Sequence, residues 1–157
     1  MLHGRRIPHW GSSHTSGPRA VELRVPARAE ALAVVRAMTG CLAHYEGLDH
    51  DTAADLALAI DEACTVLIDM APAKATLVLV EDPRADEFVV RVSTDCEVVD
   101  NDPDAVVLSA FTRRVLEALT DRVGTFVEDT GFGQQGETRP ALGISLSVRR
   151  RWAATPG

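Results

Sequence analysis

The order of apolar patterns along the chain predicts an α+β fold: a two-layer sandwich in which about three helices cover one face of a mixed, mostly antiparallel sheet. Three observations lead there. Short β-rich runs lie in adjacent pairs joined by turn residues. Three longer stretches repeat apolar residues at steps of three and four. The two patterns follow one another as strand, helix, helix, two strands, helix, two strands. With 157 residues, 46% of them hydrophobic, the chain is long enough for one domain with a real core.

Residues 1–19 mix Gly, Ser, Pro and Arg with His3, His9 and His14 and have no apolar period, so they read as a flexible tail. The His spacing is explained by a polar tail more cheaply than by a metal site. The domain is expected over 20–150, with a second tail over 151–157. Val21, Leu23 and Val25 alternate with Glu22 and Arg24 and predict a strand that Pro26 ends. A helix over 28–46 follows, with Leu32, Val35, Thr39 and Leu42 on its stripe and Gly47 as its C-terminal cap. Asp49 or Asp51 can cap a second helix, whose stripe of Leu56, Ile60, Ala63, Leu67 and Met70 is stopped by Pro72.

Ala75 to Val80 and Glu87 to Val92 read as a hairpin around the turn Asp82–Asp86. After the loop Asp100–Asp104, a third helix at about 105–121 carries Val107, Phe111, Val115 and Leu119 on its apolar stripe. Arg122 to Val127 and Ala141 to Val148 complete the sheet, with a polar, Gly-rich loop from Glu128 to Pro140 between them.

Sixteen Lys and Arg against 23 Asp and Glu give a net charge of −7 and a pI near 5.1, the wrong sign for neutralising phosphates. Direct nucleic-acid binding is not expected. No apolar run reaches the roughly 18–20 residues that cross a bilayer, and the N-terminus lacks a signal-peptide pattern, so a cytoplasmic protein without a membrane is expected. Cys41, Cys64 and Cys96 are widely spaced and odd in number, which predicts reduced, mostly buried thiols and no metal site.

Residues 25–68, VPARAEALAVVRAMTGCLAHYEGLDHDTAADLALAIDEACTVLI, and above all Asp61-Glu62-Ala63-Cys64-Thr65, resemble the N-terminal half of the RsbW and SpoIIAB family. These are bacterial anti-sigma factors that are also serine protein kinases. Their ATPase fold (GHKL, or Bergerat) is shared by histidine kinases, gyrase, Hsp90 and MutL, and has the element order just derived. The resemblance implies a nucleotide site in three parts. The first is a helix with a Glu as general base and an Asn one turn on for magnesium, since an i, i+4 pair meets one triphosphate. Glu62 matches the base, but four residues later stands Val66, which offers no oxygen to a hard cation. The second part is an Asp that reads the adenine amino group, followed by two alternate glycines; Asp95 matches the Asp, and Glu97 stands where a glycine is expected. The third is a lid with a Gly-containing turn that holds phosphate at a helix N-terminus, and here Val107-Leu108-Ser109-Ala110-Phe111 contains no glycine. Asp129-Thr130-Gly131-Phe132-Gly133 spells the Asp-x-Gly-x-Gly pattern but lies 67 residues after Glu62, with only one strand to follow, so it reads as a hairpin loop.

Two functions follow from the resemblance. The first is stoichiometric sequestration of a sigma factor, released when an anti-anti-sigma protein competes for the binding protein; it needs only a complementary surface and no cofactor. Arg36 matches an Arg at the family's partner-binding surface, against the alternative of an ordinary solvated helix Arg. The second is a serine kinase that phosphorylates the antagonist with Mg-ATP. The three departures weigh against it and predict weak or lost nucleotide binding, because phosphoryl transfer depends on metal, positioning and charge neutralisation. Glu62 is then either the base or a solvated helix acid, and Asp95 either an adenine contact or the cap of a strand end. A third reading, an α+β binding module of unknown ligand, sets the resemblance aside. The family resemblance also implies a homodimer.

Overall fold

The structure, a computed structural model, describes residues 16–95, 108–130 and 139–150. The expected tails fall outside these residues apart from the stretch 16–19, as do Cys96, Glu97, Val107 and the loop Asp100–Asp104. Strand β1 spans Val21–Pro26, helix α1 Leu32–Tyr45, helix α2 His50–Met70, strands β2 and β3 Thr76–Pro83 and Glu87–Asp95, helix α3 Ala110–Leu119, and strands β4 and β5 Arg122–Thr130 and Arg139–Arg149. One five-stranded sheet runs β1-β2-β3-β5-β4, and every pairing in it is antiparallel. The parallel element of the expected mixed sheet is present in direction only. β3 and β4 point the same way, but β5 lies between them, because the crossover through α3 skips one place.

The helix ends are set by local chemistry. A short 3-10 turn, Ala29–Ala31, takes the first part of the helix expected from residue 28. Gly47, at φ +72°, ends α1 with Gly47 N–H donating to His44 O and Leu48 N–H to Ala43 O, the paired bonds of a left-handed helix cap. Asp49 rather than Asp51 caps α2, accepting from Thr52 N at 3.1 Å. Ser109 caps α3 in the same way, accepting from Thr112 N at 3.0 Å, so that helix starts later than its apolar pattern suggests. The β2–β3 turn is also tighter than expected, since Asp82 and Pro83 pair with Val89 and Phe88 and Arg84 N–H donates to Glu87 O.

Strand alternation sorts the sheet into two faces. Leu77 and Leu79, Phe88, Val90 and Val92, and Ile144, Leu146 and Val148 point at the helices and meet Leu56, Ile60, Ala63 and Leu67 of α2 in the main core. Each such side chain contributes about 1.5–3 kcal/mol by leaving water. Two residues expected in the core are not there: Met70 is 40% exposed and Phe111 75%. The buried stripe of α3 runs through Thr112 and Leu116, with Val115 and Leu119 on its flank, and Thr112 meets Glu62 of α2. Cys64 is buried, but Cys41 is exposed on the outer side of α1. On the opposite face of the sheet the Phe126 ring lies over Gly143, where any Cβ would collide with it, and the Arg91 guanidinium stacks 4.1 Å from the ring centroid.

Candidate functional site

The residues expected to carry function are distributed over α1, α2 and the end of β3, and each has found a partner within the fold. Arg36 projects from α1, and its Nε donates to Asp61 Oδ1 on α2 at 2.7 Å. The Arg36 side chain is 58% exposed and that of Asp61 30%. The hydrogen bond to Asp61, and then its charge, raise the Arg36 pKa above the ordinary value, and the bond orients a guanidinium that is charged in any case. Elsewhere α1 exposes Val34 and Tyr45, which helix periodicity places on the side away from Arg36, and α2 exposes Leu58. An oriented surface cation, and exposed aliphatic and aromatic side chains on the same pair of helices, are groups that protein-binding surfaces use.

Glu62 lies beside Asp61 on the next side of α2, partly buried, and its Oε1 accepts from the Thr112 hydroxyl of α3 at 3.3 Å. Thr112 Oγ1 in turn accepts from the Ser109 hydroxyl at 3.0 Å. The carboxylate that would serve as base therefore forms part of the α2–α3 seam. Val66, one turn on, packs against the core, where it offers a metal nothing. Asp95 accepts from Thr76 N at 3.3 Å, while its neighbour Thr94 donates to Thr76 O, so the two residues join the ends of β3 and β2. Val107 of the glycine-free lid sequence and Glu97 lie outside the described residues, while Leu108 to Phe111 lead into and begin α3. Among the described residues, no group of three His, Cys, Asp or Glu is placed to hold a metal ion.

Several partners left little trace in the sequence. Asp61 stands 25 residues from Arg36 and Thr112 50 residues from Glu62, separations with no periodic signature. Glu46 is different in kind: buried at the end of α1, it faces Arg150 at 3.3 Å and Arg19 at 3.1 Å. Glu81 did leave a signal, since it continues the in-facing phase of Leu77 and Leu79, but the apolar run ends one residue before it.

No protein-family model matches the sequence. Two curated proteins do: the anti-sigma-F factor RsbW of Mycobacterium tuberculosis, in strains CDC 1551 / Oshkosh and ATCC 25618 / H37Rv, is 46% identical over 135 residues, covering 85% of this chain and 76% of the relative. The chain belongs to the RsbW family of anti-sigma factors. Identity at that level, spread over most of both chains, far exceeds what two Ala-rich amphipathic helices would produce by mimicry, and the reading as an unrelated binding module falls away. The open antiparallel sheet with its helices agrees with the α+β sandwich expected of an RsbW-type protein. Among the described residues, no helix is long and apolar enough to cross a membrane.

Proposed function

We propose that this chain sequesters an RNA polymerase sigma factor by stoichiometric binding, with Arg36 and the exposed face of the α1–α2 hairpin as the docking surface. An anti-anti-sigma protein would release the sigma factor by competing for the same chain. The observation that carries this reading is the 46% identity to a relative named as an anti-sigma-F factor. The geometry supports it, because Asp61 orients the Arg36 guanidinium at the surface, where it can meet an acidic partner group. The chain would act in the cytoplasm, where its partners are, and as a homodimer, as the family resemblance implies.

A second reading, a serine kinase acting on the antagonist with Mg-ATP, is favoured by Glu62 and Asp95 standing at matching positions. Their engagement with Thr112 and Thr76, together with Val66 packed against the core, supports sequestration without nucleotide chemistry. The test is a pull-down in which the purified chain is offered the sigma factors of its host one at a time, beside the variant Glu62→Ala. One sigma factor is retained by both forms with affinities within about twofold, and the variant loses about 1 kcal/mol of stability with its bond to Thr112. Retention of no sigma factor would overturn the reading, and loss of binding in the variant alone would return Glu62 to the site.

A further inference from the structure

The least expected group in the core is Glu81. Its side chain is 0% exposed, at a helix-facing position of β2 between apolar strand partners, Val21 on β1 and Val90 on β3. Among the described residues, the groups that face it are the Thr39 hydroxyl from α1 and the Cys64 thiol from α2. Neither Glu81 oxygen has a hydrogen bond of proper geometry, and nor does Thr39 Oγ1, itself on a residue 1% exposed. Three unpartnered polar atoms thus meet where α1 packs over the sheet. An ionised carboxylate there would cost far more than the fold gains from one hydroxyl, whereas a protonated one can exchange a hydrogen bond with Thr39.

We propose that Glu81 is a proton-operated latch beneath α1: the neutral carboxyl is tolerated in the core beside Thr39, whereas loss of the proton buries a charge that one hydroxyl only partly compensates, so α1 loosens to admit water. Burial, only partly offset by the Thr39 hydroxyl, pushes the Glu81 pKa up from 4.5 to about 7. The folded chain therefore holds a proton that the unfolded chain has released. Stability contributed by this group is complete below the ordinary carboxylate range and is lost as pH rises through about 7. Cys64 stays a neutral thiol throughout, since burial, with Asp61 and Glu81 adding to it, raises its pKa to about 12. Among the described residues, ion pairs tie α1 on either side of the Thr39 turn, Arg36 to Asp61 before it and Glu46 to Arg19 and Arg150 after it, so the loosening is confined to that turn. The latch does not depend on what α1 binds. Its consequence for a partner rests on the reading of Arg36, which stands one turn before Thr39.

The test follows the Glu81 side-chain carboxyl by NMR in the whole labelled chain, together with amide-exchange protection across α1 and α2. Glu81 titrates well above the ordinary carboxylate range, and protection around Thr39 falls roughly tenfold from about pH 6 to about pH 8 while the Leu56–Leu67 interior of α2 holds. Glu81→Gln abolishes the fall. Thr39→Val, which removes the one group favouring the charged form, moves the Glu81 midpoint upward and keeps the proposal testable should Glu81→Gln fail to fold. Titration of Glu81 in the ordinary carboxylate range, pH-independent protection of α1, a fall that persists in Glu81→Gln, or a midpoint that Thr39→Val leaves unmoved would each overturn the latch.

Discussion

Replacing Arg150 by alanine is expected to lower the thermal unfolding midpoint by roughly 6–12 °C, the largest stability effect of a single polar side chain in this fold. The Arg150 side chain is 3% exposed and its Nη2 meets Glu46 Oε2 at 3.3 Å and Glu46 O at 2.6 Å, while Nη1 donates to Arg84 O at 3.0 Å. One guanidinium thus joins the end of α1 and the β2–β3 turn to the first residue after β5. Removing it leaves two carbonyls and a buried carboxylate to be resolvated, and removal of one partner from a buried pair costs about 3–5 kcal/mol. The lower end applies here, because Arg19 remains beside Glu46 at 3.1 Å. Glu46→Gln, which keeps the shape and an acceptor, should cost less than Arg150→Ala. Differential scanning calorimetry showing a midpoint within about 2 °C of the parent for Arg150→Ala would show that the pair holds nothing together.

For partner binding the largest effect is expected from Arg36→Glu. The substitution removes the cation offered to the sigma factor and sets a second carboxylate against Asp61, so affinity should fall by roughly 100-fold or more. The fold should be unaffected, since exposed ion pairs contribute little to stability. Surface-bound sigma factor titrated with the variant, beside its circular dichroism spectrum, separates the two effects. Asp61→Asn is the companion variant: it frees Arg36 without removing it, and binding should be retained with a modest loss from the less constrained guanidinium. Unchanged affinity in Arg36→Glu with an intact spectrum would remove Arg36 from the docking surface.

The architecture was legible because most local choices in the sequence agree with one another. Gly47 and Asp49 mark the α1–α2 corner, Pro72 ends α2, and the in-phase residues of β2, β3 and β5 occupy the positions that alternation assigns. Where the sequence misled, a competing local effect decided. Phe111 reads as core by hydropathy, but α3 packs through Thr112 and Leu116 and leaves the ring exposed. The sheet is antiparallel throughout because β5 inserts between β3 and β4, a long-range placement that no local pattern records. The site residues were legible only as types at matching positions. Their partners, Asp61, Thr112 and Thr76, are chosen by how helices and strands meet, which spacing along one chain does not encode.

The most direct measurement is calorimetric titration of the cognate sigma factor into this chain, once free of nucleotide and once with saturating Mg-ATP, with labelled ATP and the antagonist in a parallel tube. A saturable complex that forms without nucleotide, with an affinity altered less than a few-fold by Mg-ATP and no label on the antagonist, is the predicted result. Binding that appears only with Mg-ATP, or labelled phosphate on the antagonist, would contradict a protein that works by occupancy alone.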